Sequence, residues 1–416
     1  MKIPLNIYII EPRGSGGMIH YAYQLCTALA NEGANITLVT AQNYEMAGFE
    51  HNFRAINRMN LWSLKESLAS KPARNTLEKV WRRIYWNIRR VFRGIRLIIE
   101  WIRLTNYLIK AHPDIIQFGK IEFPFEAFFL SLLKWKGLTL SQICHEFELR
   151  EGGNNPLAVF INRLYLWVYQ SFSILFFHGQ NNVDRFSSLF QIPKSKIYII
   201  PHGNEQLFAS ENTEKISTNE IRKKYGFSKN TPVILFFGIL APSKGLLDLL
   251  EAFATVIKKA PDAKLVIAGK PDKHLELSQL LSLASDLKLS TATIFDMRYI
   301  PIEEVPSLME MASVVVYPYL SSTQSGSLQV AYTFSRPVIA TKVGGLPEAV
   351  EDGKSGFLVP PRSPEALAQA ILRFIEDPSL TVKMGVYAKH LSETRFSWKP
   401  IAQKILNTYY DFLDQK

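Results

Sequence analysis

Short, continuous apolar runs alternate with longer stretches of helical length. In the first half of the chain the runs lie at Leu5 to Ile10, Ile36 to Val39, Asp114 to Gln117, Gln142 to Cys144, Ile174 to Phe177 and Ile197 to Ile200. Strands buried on both faces need this continuous pattern, and helical segments between them supply the covering layers of a parallel sheet. A second cycle begins at Val233 to Phe237. It continues with a helix around Leu246 to Ile257 and strands at Lys264 to Ala268, Val314 to Tyr317 and Val338 to Thr341. The polar stretch from Glu211 to Asn230 separates the cycles. The pattern predicts an α/β protein of two doubly wound domains in tandem. Ligands of such open sheets bind outside the carboxyl ends of the strands, so the site is expected in a cleft where the two sets of ends face each other.

A third pattern overlies the first domain. Between Leu77 and Ile102 apolar residues recur at 77, 80, 81, 84, 88, 91, 92, 95, 98, 99 and 102, a helical period. The charge of the chain is concentrated in the same place. Of the net +11, nine charges come from residues 71 to 110, where eleven basic side chains stand against Glu78 and Glu100. An amphipathic helix at about 75–105 is predicted, with Trp81, Arg82, Arg83, Trp86, Arg89, Arg90 and Arg93 expected to meet an anionic membrane surface and Trp101 counted with the tryptophans of that helix. The competing reading is a domain helix that packs its apolar stripe on the sheet and leaves its arginines in water.

Length and composition narrow the classes. A chain of 416 residues with 47% hydrophobic and 20% charged residues suits two globular domains. The two cysteines, Cys26 and Cys144, are too few for a disulfide framework and lack zinc-ligand spacing, which favours a reducing cytoplasm. The start, Met1-Lys2-Ile3-Pro4, carries no signal-peptide pattern. Leu164 to Val183 is uncharged but broken by polar residues, and reads as a helix followed by a buried strand. No nucleic-acid module is present, and the apolar side of the basic helix has no use on phosphate.

Candidate chemistry sits at turns that follow strands. Gly16-Gly17 lies between the first strand and a helix start, where missing Cβ atoms admit an anion to backbone amides; a tight turn reads equally well. The segment Phe237-Gly238 to Lys244-Gly245 offers a lysine able to reach a diphosphate, against a solvated loop lysine. Ser325, Gly326, Ser327 and Leu328 open a helix after Tyr317-Pro318, an anion-binding arrangement or an ordinary capped loop. Glu348 follows Gly344-Gly345-Leu346-Pro347, a site carboxylate or a surface glutamate on a turn, and His145 ends the strand at Cys144, a polar group for substrate or a structural histidine. No aspartate-x-aspartate pair follows a strand, so no catalytic divalent metal is expected.

In order, these segments resemble the family 4 retaining glycosyltransferases of GT-B fold, over nearly the whole chain. The resemblance rests on Gly16-Gly17-Met18-Ile19-His20, Ile200-Pro201-His202-Gly203-Asn204, Phe237-Gly238 to Lys244-Gly245, Arg336 to Thr341 leading to Gly344 to Glu348, and the closing Phe396-Ser397-Trp398. It implies two Rossmann-like domains: 1–208 binding acceptor, 209–390 binding the nucleotide-sugar donor, and 391–416 crossing back to the first. It further implies that Lys244 holds the donor diphosphate, that Gly16, Gly17, Gly238 and the amides of Ser325 to Leu328 approach it, and that the catalytic residues are Lys244, His145 near the transferred sugar and Glu348 in the loop lining the cleft. The nucleotide-diphosphate sugar is then a co-substrate and no separate cofactor is needed. A saccharide, carried on a lipid, is the implied acceptor, and the place of action is the inner face of the cell membrane. Ile239 stands where the family has arginine, and Ser322 and Val330 stand where it has paired glutamates. A catalytically degenerate scaffold, a sugar phosphorylase or an epimerase of the same fold are the alternatives.

Overall fold

Each run of branched and aromatic residues becomes a strand because both of its faces are covered. The structure, a computed structural model, describes residues 3–59, 76–147, 156–209 and 216–416, without the side chains of 76–80, 82–84, 87 and 156–160. It forms two compact units. The first comprises Met1–Phe177, Phe186–Tyr198 and Ala402–Lys416, and the second His178–Arg185 and Ile199–Ile401.

The first unit is built on β1 (Asn6–Glu11), α1 (Gly17–Asn31), β2 (Asn35–Ala41), β3 (Arg54–Met59), α2 (Thr76–Ala111), β4 (Ile115–Phe118), α3 (Glu126–Trp135), β5 (Thr139–Ile143), α4 (Pro156–Ser171), β6 (Ile174–Phe177), the end of α5 (Gln180–Leu189) and β7 (Ile197–Ile199), while the start of α5, through Arg185, belongs to the second unit. Its seven-stranded sheet has the order β3-β2-β1-β4-β5-β6-β7. Right-handed crossovers place α2, α3 and α4 in one layer on one face of this sheet and α1 on the other. The uncharged segment from Leu164 resolves into the end of α4 and then β6. Among the described residues no helix is long and apolar enough to cross a membrane. Cys26 and Cys144 are buried free thiols, pushed up in pKa by burial.

Helix α2 corrects the sequence reading in one respect. Trp101 does not belong to an outward face: it is 5% exposed and stacks on Phe118 and Phe129 at ring distances of 6.0 and 5.5 Å. Its indole Nε1 donates to Glu126 at 3.2 Å, and Leu104 and Leu108 are buried on the same side. One face of the final turns therefore enters the core. The apolar stripe runs along a different face and does not pack on the sheet. Trp81, Ile88, Val91, Phe92, Ile95, Ile98, Ile99 and Ile102 are all exposed, joined by Tyr85, and Phe92 is 67% accessible.

The second unit contains α6 (Thr218–Lys224), β8 (Val233–Phe237), α7 (Leu246–Lys259), β9 (Lys264–Ala268), α8 (Leu277–Asp286), β10 (Thr293–Asp296), α9 (Val305–Met311), β11 (Val314–Tyr317), α10 (Gly326–Thr333), β12 (Val338–Thr341), α11 (Leu346–Ala349), β13 (Gly356–Val359), α12 (Pro364–Glu376) and α13 (Ser379–Glu393). Its six parallel strands have the order β10-β9-β8-β11-β12-β13. The last helix, α14 (Trp398–Asp414), contributes Ala402 onward to the first unit. There Tyr409 is fully buried, its hydroxyl donating to Gln117 Oε1 and hydrogen-bonded to the Ser141 hydroxyl at 3.1 Å.

Tyr409→Phe strands the Gln117 and Ser141 oxygens in the core. It is expected to cost about 1–3 kcal/mol, read as a lower denaturation midpoint at unchanged denaturant slope.

Candidate functional site

The second sheet reverses direction at its centre. β8 and β11 are neighbours, and the chain runs outward from β8 through β9 to β10, and from β11 through β12 to β13. The carboxyl ends of β8 and β11 thus flank a topological switch point, where open α/β sheets bind ligands. Gly238 and Lys244 follow β8, and Ser325, Gly326, Ser327 and Leu328 follow β11, so the topology alone gathers these six residues.

Local geometry tightens that gathering. Pro242–Lys244 form a single 3-10 turn closed by Gly245 at φ 65°, where an added Cβ would stand 1.9 Å from the Pro318 carbonyl oxygen. No residue with a side chain fits there, which is why the lysine loop lies directly against the β11 loop. The Leu320 amide fixes the contact by donating to the Ser243 carbonyl at 2.8 Å. Lys244 Nζ sits 3.7 Å from the Tyr319 ring centroid. The Tyr319 hydroxyl is 3.2 Å from Ser325 Oγ, which accepts from the Leu328 amide at 3.3 Å and so caps α10. The Ser325 amide donates to Gln324 Oε1 at 3.0 Å. The next amides, Gly326 and Ser327, belong to the first turn of α10 and have no acceptor within that helix. A Cβ on Gly238 would lie 2.8 Å from Ser327 Oγ, so the two loops meet there as well.

Glu348 has a structural task. Its two carboxylate oxygens accept from the amides of Gln180 and Asn181 at 2.9 and 2.7 Å, placing a negative charge at the N-terminus of α5. Asn181 and Asn182 return donors to the Gly344 and Thr323 carbonyls at 3.2 and 2.9 Å. Gly344, at φ 51°, leaves no room for a Cβ, which would stand 1.5 Å from the Ser322 carbonyl oxygen. Glu348 therefore holds the loop after β11 in place through α5 and the glycine pair.

In the first unit, Gly16 (φ 88°) and Gly17 open α1, and Cβ atoms there would meet open space. The Gly16 amide donates to Glu45 at 2.9 Å, and Glu45 lies 3.4 Å from His20. His145 follows β5 with its ring edge-on to Tyr21 of α1 at 4.5 Å. Of the basic helix residues, Arg82 and Arg83 have side chains outside the described set; Arg90 is exposed, and Trp86, Arg89 and Arg93 are partly so.

The chain matches the glycosyltransferase family 4 model over residues 15–204 and the glycosyl transferases group 1 model over residues 217–391. It belongs to the family 4 glycosyltransferases. The fold of this family 4 chain is of the GT-B type, with two Rossmann-like domains. A D-inositol 3-phosphate glycosyltransferase of Corynebacterium urealyticum is 33% identical over 220 residues, 52% of this chain and 51% of the relative. The chain spans about half the length of the curated relatives it matches. Sucrose-phosphate synthase from Thermosynechococcus elongatus superimposes with a TM-score of 0.72 at 18% identity, covering 99% of each chain. HepE of Anabaena, solved with UDP-glucose, gives 0.71 at 18% identity over 98% of this chain and 100% of its own.

Sequence reasoning passed over several residues of this family 4 site. Tyr319 braces both Lys244 and Ser325, yet a tyrosine two residues past a strand carries no motif. His202 is buried 4.9 Å from the His178 ring, and burial holds its pKa down at about 4, so its imidazole is neutral at physiological pH. Its ring lies 3.6 Å from the place a Gly326 Cβ would occupy. His202 stood within a recognised segment but had no role assigned. Ser322 Oγ donates to the Gln324 carbonyl at 2.7 Å, and Val330 is buried.

Gly344→Ala is expected to destabilise the second unit by more than ~1 kcal/mol, because strain and steric overlap act together. Gly353→Ala is the control, since Gly353 has φ 75° with open space around it; equal melting temperatures for the two variants would contradict the loop-contact argument.

Proposed function

We propose that this chain is a retaining glycosyltransferase that moves a sugar from a nucleotide-diphosphate sugar to a saccharide acceptor carried on a lipid, while held peripherally at the anionic inner face of the cell membrane. The observation that carries the reading is the convergence of Gly238, Lys244 and the first turn of α10 at the switch point of the second sheet. A diphosphate seated there meets one ammonium point charge and the dipole-aligned amides of Gly326 and Ser327. Such groups stabilise charge that builds on the departing diphosphate, and they do so without reorganising during the reaction. The acceptor hydroxyl attacks the face from which the diphosphate leaves, with no protein nucleophile and no divalent metal. Gly16, Gly17 and His145 of the first unit are the further candidates for donor contact. Glu348 positions the β11 loop. The family and the names of the curated relatives support glycosyl transfer as the reaction class.

Membrane attachment draws on α2. Exposed Phe92, Ile95 and Ile99 run beside a band of arginines, Arg89, Arg93, Arg96 and Arg103, on the adjoining side of the helix. An apolar stripe bordered by cations fits a helix lying in an anionic interface, where each basic charge contributes about 1 kcal/mol. The lipid-borne acceptor follows from that location. A membrane-bound scaffold without turnover is the second reading, favoured by Val330 in the core and Ser322 in place of the family's glutamates.

Lys244→Ala is expected to slow sugar transfer at least a hundredfold with the melting temperature retained; unchanged turnover would remove Lys244 from the mechanism. Calorimetry with UDP-glucose, GDP-mannose and ADP-glucose separates the scaffold, which would bind none or bind without turnover. Phe92→Glu with Ile95→Glu should abolish sedimentation with phosphatidylglycerol vesicles, whereas equal sedimentation of wild type with neutral vesicles would defeat the electrostatic part of the reading.

A further inference from the structure

The layer that holds α2 continues into α3 and α4, and these helices also turn aromatic side chains to solvent. Phe128 and Trp135, seven positions apart on α3, stand on one side of that helix at 62% and 75% exposure, and Trp167 of α4 is 40% exposed. Scattered apolar residues are normal on a protein surface, but two large indoles flanking one groove are not scattered. The groove between α3 and α4 has a volume of about 340 Å³ and is lined by Ser131, Lys134, Trp135, Trp167, Gln170 and Ser171. Its base is polar: Ser131 Oγ and Ser171 Oγ lie 3.3 Å apart.

The charged side chains described at the groove are lysines. Lys134 Nζ and Lys196 Nζ both donate to the Gln170 carbonyl oxygen, each at 3.2 Å, and Lys196 also donates to the Phe172 carbonyl at 2.9 Å. Lys136 Nζ lies 4.5 Å from the Trp135 ring centroid. Between Ala127 and Cys144 the sequence contains no acidic residue, and neither does 156–183. Two ammonium groups thus share one neutral carbonyl oxygen, and among the described residues their hydrogen-bond partners are carbonyl oxygens. Burial and the neighbouring Lys134 lower the pKa of Lys196, the direction expected of a cation lacking a counter-charge.

We propose that the α3–α4 groove is a second membrane contact of the first unit, taking the phosphate of an anionic phospholipid headgroup while Trp135, Trp167 and Phe128 enter the interfacial region. The inference rests on the membrane reading of α2 and adds a second point of attachment to it. Lys134 supplies the charge, and Ser131 and the Gln170 amide supply hydrogen bonds to phosphate oxygens. Tryptophan and lysine are the side chains that settle at the boundary of headgroups and water, with the ring in the apolar layer and the ammonium at its edge. One amphipathic helix leaves a peripheral protein free to rotate about that helix. A second contact on the neighbouring helices fixes which side of the first unit lies on the bilayer.

The test uses the full chain and extruded vesicles of phosphatidylcholine with or without phosphatidylglycerol. Lys134→Glu is expected to weaken binding to phosphatidylglycerol vesicles on the order of tenfold, and Trp135→Ala with Trp167→Ala to do the same, each at an unchanged melting temperature. The Lys134→Glu loss should vanish on pure phosphatidylcholine, and soluble inorganic phosphate should not compete with vesicles. Affinities within twofold of wild type for both groove variants, alongside lost binding in Phe92→Glu, overturn the groove and leave α2 standing. A wild-type chain that sediments with neither vesicle overturns the groove and the membrane reading together. A loss equal on neutral vesicles overturns the headgroup assignment.

Discussion

Backbone in the second unit approaches backbone more closely than any side chain allows. Gly245 stands against the Pro318 carbonyl, Gly269 against that of Gly238, and Gly344 against that of Ser322. A Cβ at any of these positions would overlap the facing oxygen, so the loops leaving β8, β9, β11 and β12 are locked to one another through main-chain atoms. The second unit's candidate site residues depend on this contact. Lys244 reaches Tyr319 because Gly245 lets its loop lie on Pro318, and Ser325 is braced because Tyr319 is held in turn. A site resting on main-chain contact is positioned by the sheet itself and is insensitive to rotamer exchange nearby.

Glu348 illustrates how position and role can part. A carboxylate beside a glycine pair after a strand reads from sequence as site chemistry. In the fold its oxygens are taken up by the amides that begin α5, a charge-to-dipole interaction that stabilises a helix end. The residue still matters to the site, because Asn181 and Asn182 carry the same interaction back to Gly344 and Thr323.

Much of the architecture was legible in the chain. Val233 to Phe237, Val314 to Tyr317 and Ile174 to Phe177 announced themselves because strands buried on both faces are apolar without interruption, and Gly33 marked the end of α1. β3 was illegible for the converse reason: it is an edge strand, Arg54 to Met59, whose side chains are mostly exposed and mixed. β10 and β13 match the legible strands in length but lack an uninterrupted apolar run: β10 begins with Thr293, ends in Asp296 and is mostly half-buried, and β13 begins with Gly356. The period of α2 identified a helix but not which of its two apolar faces meets the core. That choice depends on Trp101 finding Glu126 and Phe129, partners distant in sequence. Glycine motifs located the loops of the site. Tyr319 and His202 escaped because their roles come from what the fold sets beside them.

The closing helix bears on how the molecule is made. Tyr409 lies in the core of the first unit, bonded to Gln117 and Ser141, although it is synthesised after the whole of Ile199–Ile401. Domains normally fold in the order in which they leave the ribosome. Here the bulk of the second unit, Ile199–Ile401, is contiguous and can complete itself while translation continues, whereas the unit begun first must wait for α14 to seat Tyr409 in its core. The earlier half of the chain is therefore the later one to mature.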